Sequence, residues 1–171
     1  MQTLLPVWNK PVIALLPGSR RQEVTRILPT MLKMAGKFPQ YQFVVAGVGS
    51  LPEALYQSIT AMSGVPVVYG QTHHLLQQAT AALVASGTAT LETALLNVPQ
   101  VVCYRANPVS VIIARRLVKV PYISLVNLIA QKEVVTELIQ QDFTETRLQK
   151  ALADILPNGG ARQKMLEAYA Q

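Results

Sequence analysis

Short apolar runs that stop at glycine or proline recur along this chain, and they constrain its fold more than any other feature. Val12-Ile13-Ala14-Leu15-Leu16 stops at Pro17-Gly18, Gln42-Phe43-Val44-Val45-Ala46 at Gly47, and Pro66-Val67-Val68-Tyr69 at Gly70. Ala81-Ala82-Leu83-Val84-Ala85 stops at Ser86-Gly87, and Val101-Val102-Cys103-Tyr104 at Arg105. Runs this short, bounded by turn formers, read as buried strands. Tyr122-Ile123-Ser124-Leu125 is the expected sixth. Helical spacing lies between the runs: Val24, Ile27, Leu28, Met31 and Leu32 place one apolar stripe on a helix. Pro29 falls inside that stripe and predicts a kink or restart there.

Strands alternating with helices over short connections imply a parallel sheet covered on both faces. The expected architecture is a three-layer α/β, Rossmann-like domain with about six parallel strands and a helical C-terminus from Val134 onward. The 171 residues suit a single domain. Its core is expected over about 11–157, with a last helix over about 161–171 after Gly159-Gly160. Ligands of such sheets bind beyond the carboxyl ends of the strands, in the turns that lead into helices.

Half of the residues are apolar and 14% are charged, which excludes a disordered chain. The net charge of +6 points to anionic partners without choosing among them. Cys103 is the single cysteine and forms no internal disulfide, in keeping with a reducing, cytoplasmic compartment. Residues 1–10 lack the basic start and apolar stretch of a secretory leader. Arg115 and Arg116 interrupt the longest candidate membrane span.

Two turns have the composition to hold a ligand. In Leu16-Pro17-Gly18-Ser19-Arg20-Arg21-Gln22-Glu23, Gly18 lets the backbone approach a ligand and Ser19 opens a helix whose free N–H groups attract phosphate. Arg20 or Arg21 can add a charge-assisted fork. Ser19-x-x-Gln22 is equally an ordinary capping box, and Arg20 equally a solvated charge.

In Ser86-Gly87-Thr88-Ala89-Thr90-Leu91-Glu92, Thr88 and Thr90 bring hydroxyls to the first N–H groups of a helix striped by Leu91, Ala94 and Leu95. Glu92 lies at the wrong spacing to close a capping box with Ser86 or Thr88. Its side chain leans back toward the turn, where a carboxylate accepts hydrogen bonds from two ribose hydroxyls. The plainer reading is that Glu92 complements the positive end of the helix. A third stretch, 109–120, carries Arg115, Arg116 and Lys119 among apolar residues; it reads as a packed helix or as a surface for an anionic lipid. Asn127 is expected in a turn after the sixth strand, as a cap or a reader of uracil or phosphate.

Other chemistries fail on spacing. Gly47-Val48-Gly49 has Pro52 where a dinucleotide fingerprint needs its third glycine. No Gly-Lys-Ser/Thr phosphate loop is present. The adjacent His73 and His74 cannot share a metal on a helix, and no serine, histidine and aspartate suggest a triad. With no clustered carboxylates, no metal or other cofactor is expected, and helix ends and arginines must meet the charge of a diphosphate.

Together these motifs resemble the C-terminal half of bacterial lipid-A-disaccharide synthases, glycosyltransferases of the two-domain GT-B type. The resemblance rests on Leu15-Leu16-Pro17-Gly18-Ser19-Arg20 with Glu23, on 85–92, on Tyr104-Arg105, and on 114–125 followed by Asn127-Leu128. It implies transfer of 2,3-diacylglucosamine from UDP-2,3-diacylglucosamine to 2,3-diacylglucosamine 1-phosphate, with release of UDP. It would put Gly18, Ser19 and Arg20 at the diphosphate, and Ser86, Gly87, Thr88 and Thr90 around the phosphates. Glu92 would meet the ribose, while Tyr104, Arg105 and Asn127 would line the UDP side of the cleft.

Val126 departs from the family pattern, which has proline there. The chain is also about half the family's length, and the resemblance implies that acceptor binding and the catalytic carboxylate belong to an N-terminal half outside this sequence. No catalytic residue is therefore expected in this chain, which should bind the donor and catalyse little or nothing alone. The lipid acceptor would be met through the missing half, at the cytoplasmic face of the inner membrane. A non-enzymatic basic module for nucleic acid or anionic membrane is the rival; the 6% aromatic content counts against single-strand binding. Half of a UDP-sugar epimerase is a further alternative.

Overall fold

The structure, a computed structural model, describes residues 5–107 and 122–171. The expectations for 109–120, including Arg115, Arg116 and Lys119, lie outside the described residues. Six parallel strands form one sheet in the order β3-β2-β1-β4-β5-β6. They are β1 (Val12–Leu16), β2 (Gln42–Gly47), β3 (Val67–Tyr69), β4 (Ala79–Ala85), β5 (Gln100–Tyr104) and β6 (Thr136–Ile139). Because a strand points successive side chains to opposite faces, the central strands feed two cores. Ile13, Leu15, Val45 and Leu83 face one side; Ala14, Leu16, Val44 and Val84 face the other.

On the first face lie α1 (Arg21–Leu32), α2 (Met34–Lys37), α3 (Glu53–Thr60) and α7 (Glu145–Ile155). The five stripe residues of α1 are all buried, as their spacing requires. The helix runs through Pro29, which sits exposed, and breaks only at Lys33, one turn later. Pro29 takes away one helical N–H on the solvent side, so the damage falls where the packed stripe does not feel it. α4 (Thr72–Gln78) covers the opposite face with Leu75 and Leu76. α5 (Thr88–Leu95) follows β4, and α8 (Arg162–Tyr169) ends the chain.

The sixth strand is not where its apolar pattern suggested. Residues 122–125 form no strand: Ser124 is the N-cap of α6 (Leu125–Ala130), its Oγ accepting from the Asn127 N–H at 3.2 Å. β6 instead comes from Thr136-Glu137-Leu138-Ile139, so the segment after Val134 is not purely helical. An edge strand buries one side chain in four here, which leaves little apolar signal. The stripe of α5 is also corrected. Thr90, Thr93 and Ala94 are buried while Leu95 is 74% exposed. Both threonines tolerate burial because their hydroxyls bond back to carbonyls at Gly87 and Ala89.

Candidate functional site

The chain reverses its direction across the sheet between β1 and β4, since β1 leads outward to β2 and β4 outward to β5. Such a switch point opens a crevice at the carboxyl ends of the two strands. Here it is a cleft of about 160 Å³, lined by the turns after both strands. Gly18, Ser19 and Glu23 form one wall, and Ser86, Gly87, Thr88 and Ala89 the other; Val48 and Thr72 close it from β2 and α4.

The glycines are conformational necessities. Gly18 has φ +102°, and a Cβ there would stand 2.9 Å from the Cβ of Glu23. Gly87 has φ +143° with open space beside it, so its backbone alone demands glycine. Both turns deliver a helix N-terminus to the cleft: α1 starts at Arg21 and α5 at Thr88. The first N–H groups of a helix have no carbonyl one turn earlier, and they carry the positive end of its dipole. The cleft therefore has the chemistry of an anion site.

At α1 the cap is Arg20, not Ser19. Glu23 closes the turn by accepting from the Arg20 N–H at 3.2 Å, so the box falls one residue later than Ser19-x-x-Gln22. This leaves Ser19 exposed on the cleft wall, and Arg20, the next residue, exposed outside the lining. The cleft also takes in Glu23 and Thr72, which lie outside the expected site residues. The three-residue spacing of Arg20 and Glu23 was the available signal for the first, and the turn after Gly70 for the second.

Of the expected site residues, the cleft gathers Gly18, Ser19, Ser86, Gly87 and Thr88. Thr90 is fully buried and its hydroxyl donates to the Gly87 carbonyl at 2.9 Å, so it shapes the turn instead of facing a ligand. Glu92 is partly exposed, with Oε1 3.4 Å from Nδ1 of His73 on α4. Tyr104 stands half-buried at the end of β5. Arg105 is not among the residues that line the cleft. Its guanidinium donates to the Phe143 carbonyl and to Thr30 Oγ1, and stacks 4.7 Å over the Phe143 ring. It clamps β5 to α1 and the start of α7.

Asn127 is not among the cleft-lining residues either. It is fully buried in α6. Its Nδ2 donates to the Val135 carbonyl at 2.8 Å and to Glu137 at 3.1 Å; its Oδ1 accepts from the N–H groups of Val134 and Val135. Two donors and two lone pairs exhaust the amide, which leaves nothing for a uracil or phosphate. The thiol of Cys103 is buried at the end of β5, and burial pushes its pKa far up, so it offers no nucleophile. Among the described residues no three His, Cys, Asp or Glu side chains gather to hold a metal ion. No described helix is long and apolar enough to cross a membrane.

The family described as lipid-A-disaccharide synthetase matches residues 2–170. The lipid-A-disaccharide synthase of Rhodospirillum centenum is 38% identical over 168 residues, covering 94% of this chain and 42% of the relative. That of Syntrophus aciditrophicus is 40% identical over 162 residues, with 91% and 42% covered. The chain thus spans less than half the length of these relatives. Among solved structures, a spinosyn rhamnosyltransferase complexed with thymidine diphosphate matches with TM-score 0.63 at 15% identity, over 95% of this chain and 41% of that one. A UDP-GlcNAc 2-epimerase from Neisseria meningitidis bound to UDP-GlcNAc matches with TM-score 0.62 at 16% identity, over 94% and 40%. At such identities these two speak for the fold alone, a Rossmann-like half of the GT-B architecture.

Proposed function

The chain belongs to the lipid-A-disaccharide synthetase family, and from that premise we propose that its cleft holds the UDP portion of UDP-2,3-diacylglucosamine. One observation carries the reading: two glycine turns, at Gly18 and Gly87, aim two helix N-termini into one crevice at the switch point of the sheet. A diphosphate fits that arrangement because its negative oxygens can accept from the N–H groups of Thr88 and Ala89 and from those opening α1. Ser19 and Thr88 supply hydroxyls at the walls, and Arg20, next to Ser19, supplies a cation. Glu92, released from His73, reaches the ribose hydroxyls as a double acceptor.

In the reaction, the hydroxyl of the acceptor 2,3-diacylglucosamine 1-phosphate bonds to the anomeric carbon of the donor sugar. The anomeric C–O bond to phosphate breaks and UDP departs with the electron pair. The helix ends that bind the diphosphate in the ground state meet the charge growing on it as it leaves. Acceptor binding and deprotonation fall to the remainder of a protein of the relatives' length, working at the cytoplasmic face of the inner membrane. This chain forms one domain whose share is donor binding. No metal is required in this scheme.

Titration with UDP, UMP, ADP and NAD, followed by amide NMR, tests the proposal. UDP should shift Gly18, Ser19, Gly87, Thr88 and Ala89 and should bind more tightly than ADP. Affinity that collapses with salt and shows no nucleotide preference would instead mark a basic module for nucleic acid or membrane.

A further inference from the structure

Ser86 lies in the cleft wall, yet both of its hydrogen-bond donors are turned into the protein. Its N–H donates to the Cys103 carbonyl at 3.3 Å, and its hydroxyl to the Ile123 carbonyl at 3.2 Å. Ile123 is itself held from behind. The Glu137 carboxylate on β6 accepts from the N–H groups of Ile123 at 3.0 Å and Ser124 at 2.8 Å, and from Asn127 Nδ2 at 3.1 Å. Three donors converging on one carboxylate make a rigid joint, because both oxygens are engaged. Glu137 also stands at the N-terminus of α6, where a negative charge is favoured.

We propose that Glu137 is a positioning residue for the nucleotide cleft, acting through the Ile123 carbonyl on Ser86 and so on the Gly87 turn. This inference rests on the reading of the cleft as the UDP site. Ser86 then serves as a strut and not as a phosphate donor. It fixes the residue immediately before Gly87, whose φ of +143° aims the first N–H groups of α5 into the cleft. Glutamine at 137 is nearly the same size but replaces one acceptor oxygen by an NH2 donor. That donor would oppose an N–H group, and the one remaining oxygen would have to serve three donors with its two lone pairs, so the hold on Ile123 is weakened.

The test is UDP titration of the whole chain by calorimetry and amide NMR for the unaltered protein, Glu137→Gln, Ser86→Ala and the double variant. Each single change should weaken UDP severalfold to roughly tenfold, the scale of losing one hydrogen bond, neutral at Ser86 and charge-assisted at Glu137. The double variant should be no weaker than either single one, because both act through one strut. In ligand-free Glu137→Gln, the Ser86 and Gly87 amide resonances should already shift. Additive losses would show Ser86 contacting phosphate directly and overturn the inference. So would a Glu137→Gln protein that melts earlier yet binds UDP unchanged, since that is a structural role only. Should Glu137→Gln not fold, Glu137→Asp withdraws the carboxylate by one methylene from the Ile123 N–H and carries the same comparison with Ser86→Ala. Failure of the unaltered chain to bind UDP would overturn the nucleotide reading and this inference together; binding that Glu137→Gln leaves intact overturns this inference alone.

Discussion

Gly18 and Gly87 look alike in sequence, each closing a strand before a helix, but they resist substitution for different reasons. Alanine at 18 must adopt φ +102° and also push its methyl to 2.9 Å from Glu23. Alanine at 87 meets no atom within 4 Å and bears only the backbone strain. Gly18→Ala should therefore cost about 2–3 kcal/mol of unfolding free energy, and Gly87→Ala about 1–2. Denaturant titration measures the difference, and both should lose UDP affinity; a Gly18→Ala no less stable than the parent would contradict the steric argument. Glu92 makes a second residue-scale claim. Glu92→Ala should weaken UDP far more than pyrophosphate, because only UDP carries a ribose; equal losses in calorimetry would refute that role. The glycine turns were legible because a strand, a glycine and a helix start are contiguous in sequence. Asn127 was not, since its partners Val134, Val135 and Glu137 arrive only after the chain turns back at Gln131, with φ +56°.

At the scale of elements, the same contrast explains the sixth strand. The central strands are buried on both faces and read as unbroken apolar runs. β6 sits at the edge, pairs only with β5, and includes Glu137, whose carboxylate is engaged with α6. A polar edge strand gives way in sequence to the more apolar 122–125, whose backbone donors are instead taken by that carboxylate. Helix α7 is tied to α1 and α2 by a surface pair that the sequence also hid. Glu145 lies 3.1 Å from Lys37 and 3.7 Å from Lys33. Its hydrogen bond to Lys37 leads, with both ammonium charges, in lowering the carboxyl pKa below the usual value. A carboxylate depressed on folding adds stability above its unfolded pKa and loses that stability as pH falls through the folded value. Glu145→Gln should therefore lower stability slightly near neutrality and flatten the acid limb of the stability–pH curve by the same small amount, the group being exposed. An unchanged acid limb in urea melts taken between pH 3 and pH 7 would show that the pair does not contribute.

Across the whole molecule, the cleft lies at one end of the sheet while α8 closes the other. Arg162 donates to the carbonyls of Thr80 and Ile155, and Met165 Sδ accepts from the Gln100 N–H at 3.4 Å. The Gln100 side chain, fully buried, donates to the Thr90 carbonyl of α5 and to the Tyr169 hydroxyl at 3.3 Å. One glutamine thus joins the last helix to the helix that opens on the cleft. Burial raises the pKa of Tyr169 well above its ordinary 10.0, against a smaller opposing effect of the bond from Gln100. Unfolded, the phenol ionises near 10; folded, it stays protonated beyond that pH. Stability is therefore level below about pH 10 and falls as pH rises from there toward the folded value. Tyr69, also raised chiefly by burial, adds to the same fall. Tyr169→Phe should cost about 1 kcal/mol or less at neutral pH, because Gln100 keeps its bond to Thr90. Above pH 10 the variant should lose stability less steeply than the parent. Absorbance at about 295 nm reads phenolate directly, so the parent should show a tyrosine that ionises only with unfolding and the variant should lack it. If both proteins titrate all their tyrosines while still folded, α8 is not seated against Gln100, and the coupling from the last helix to α5 falls with it.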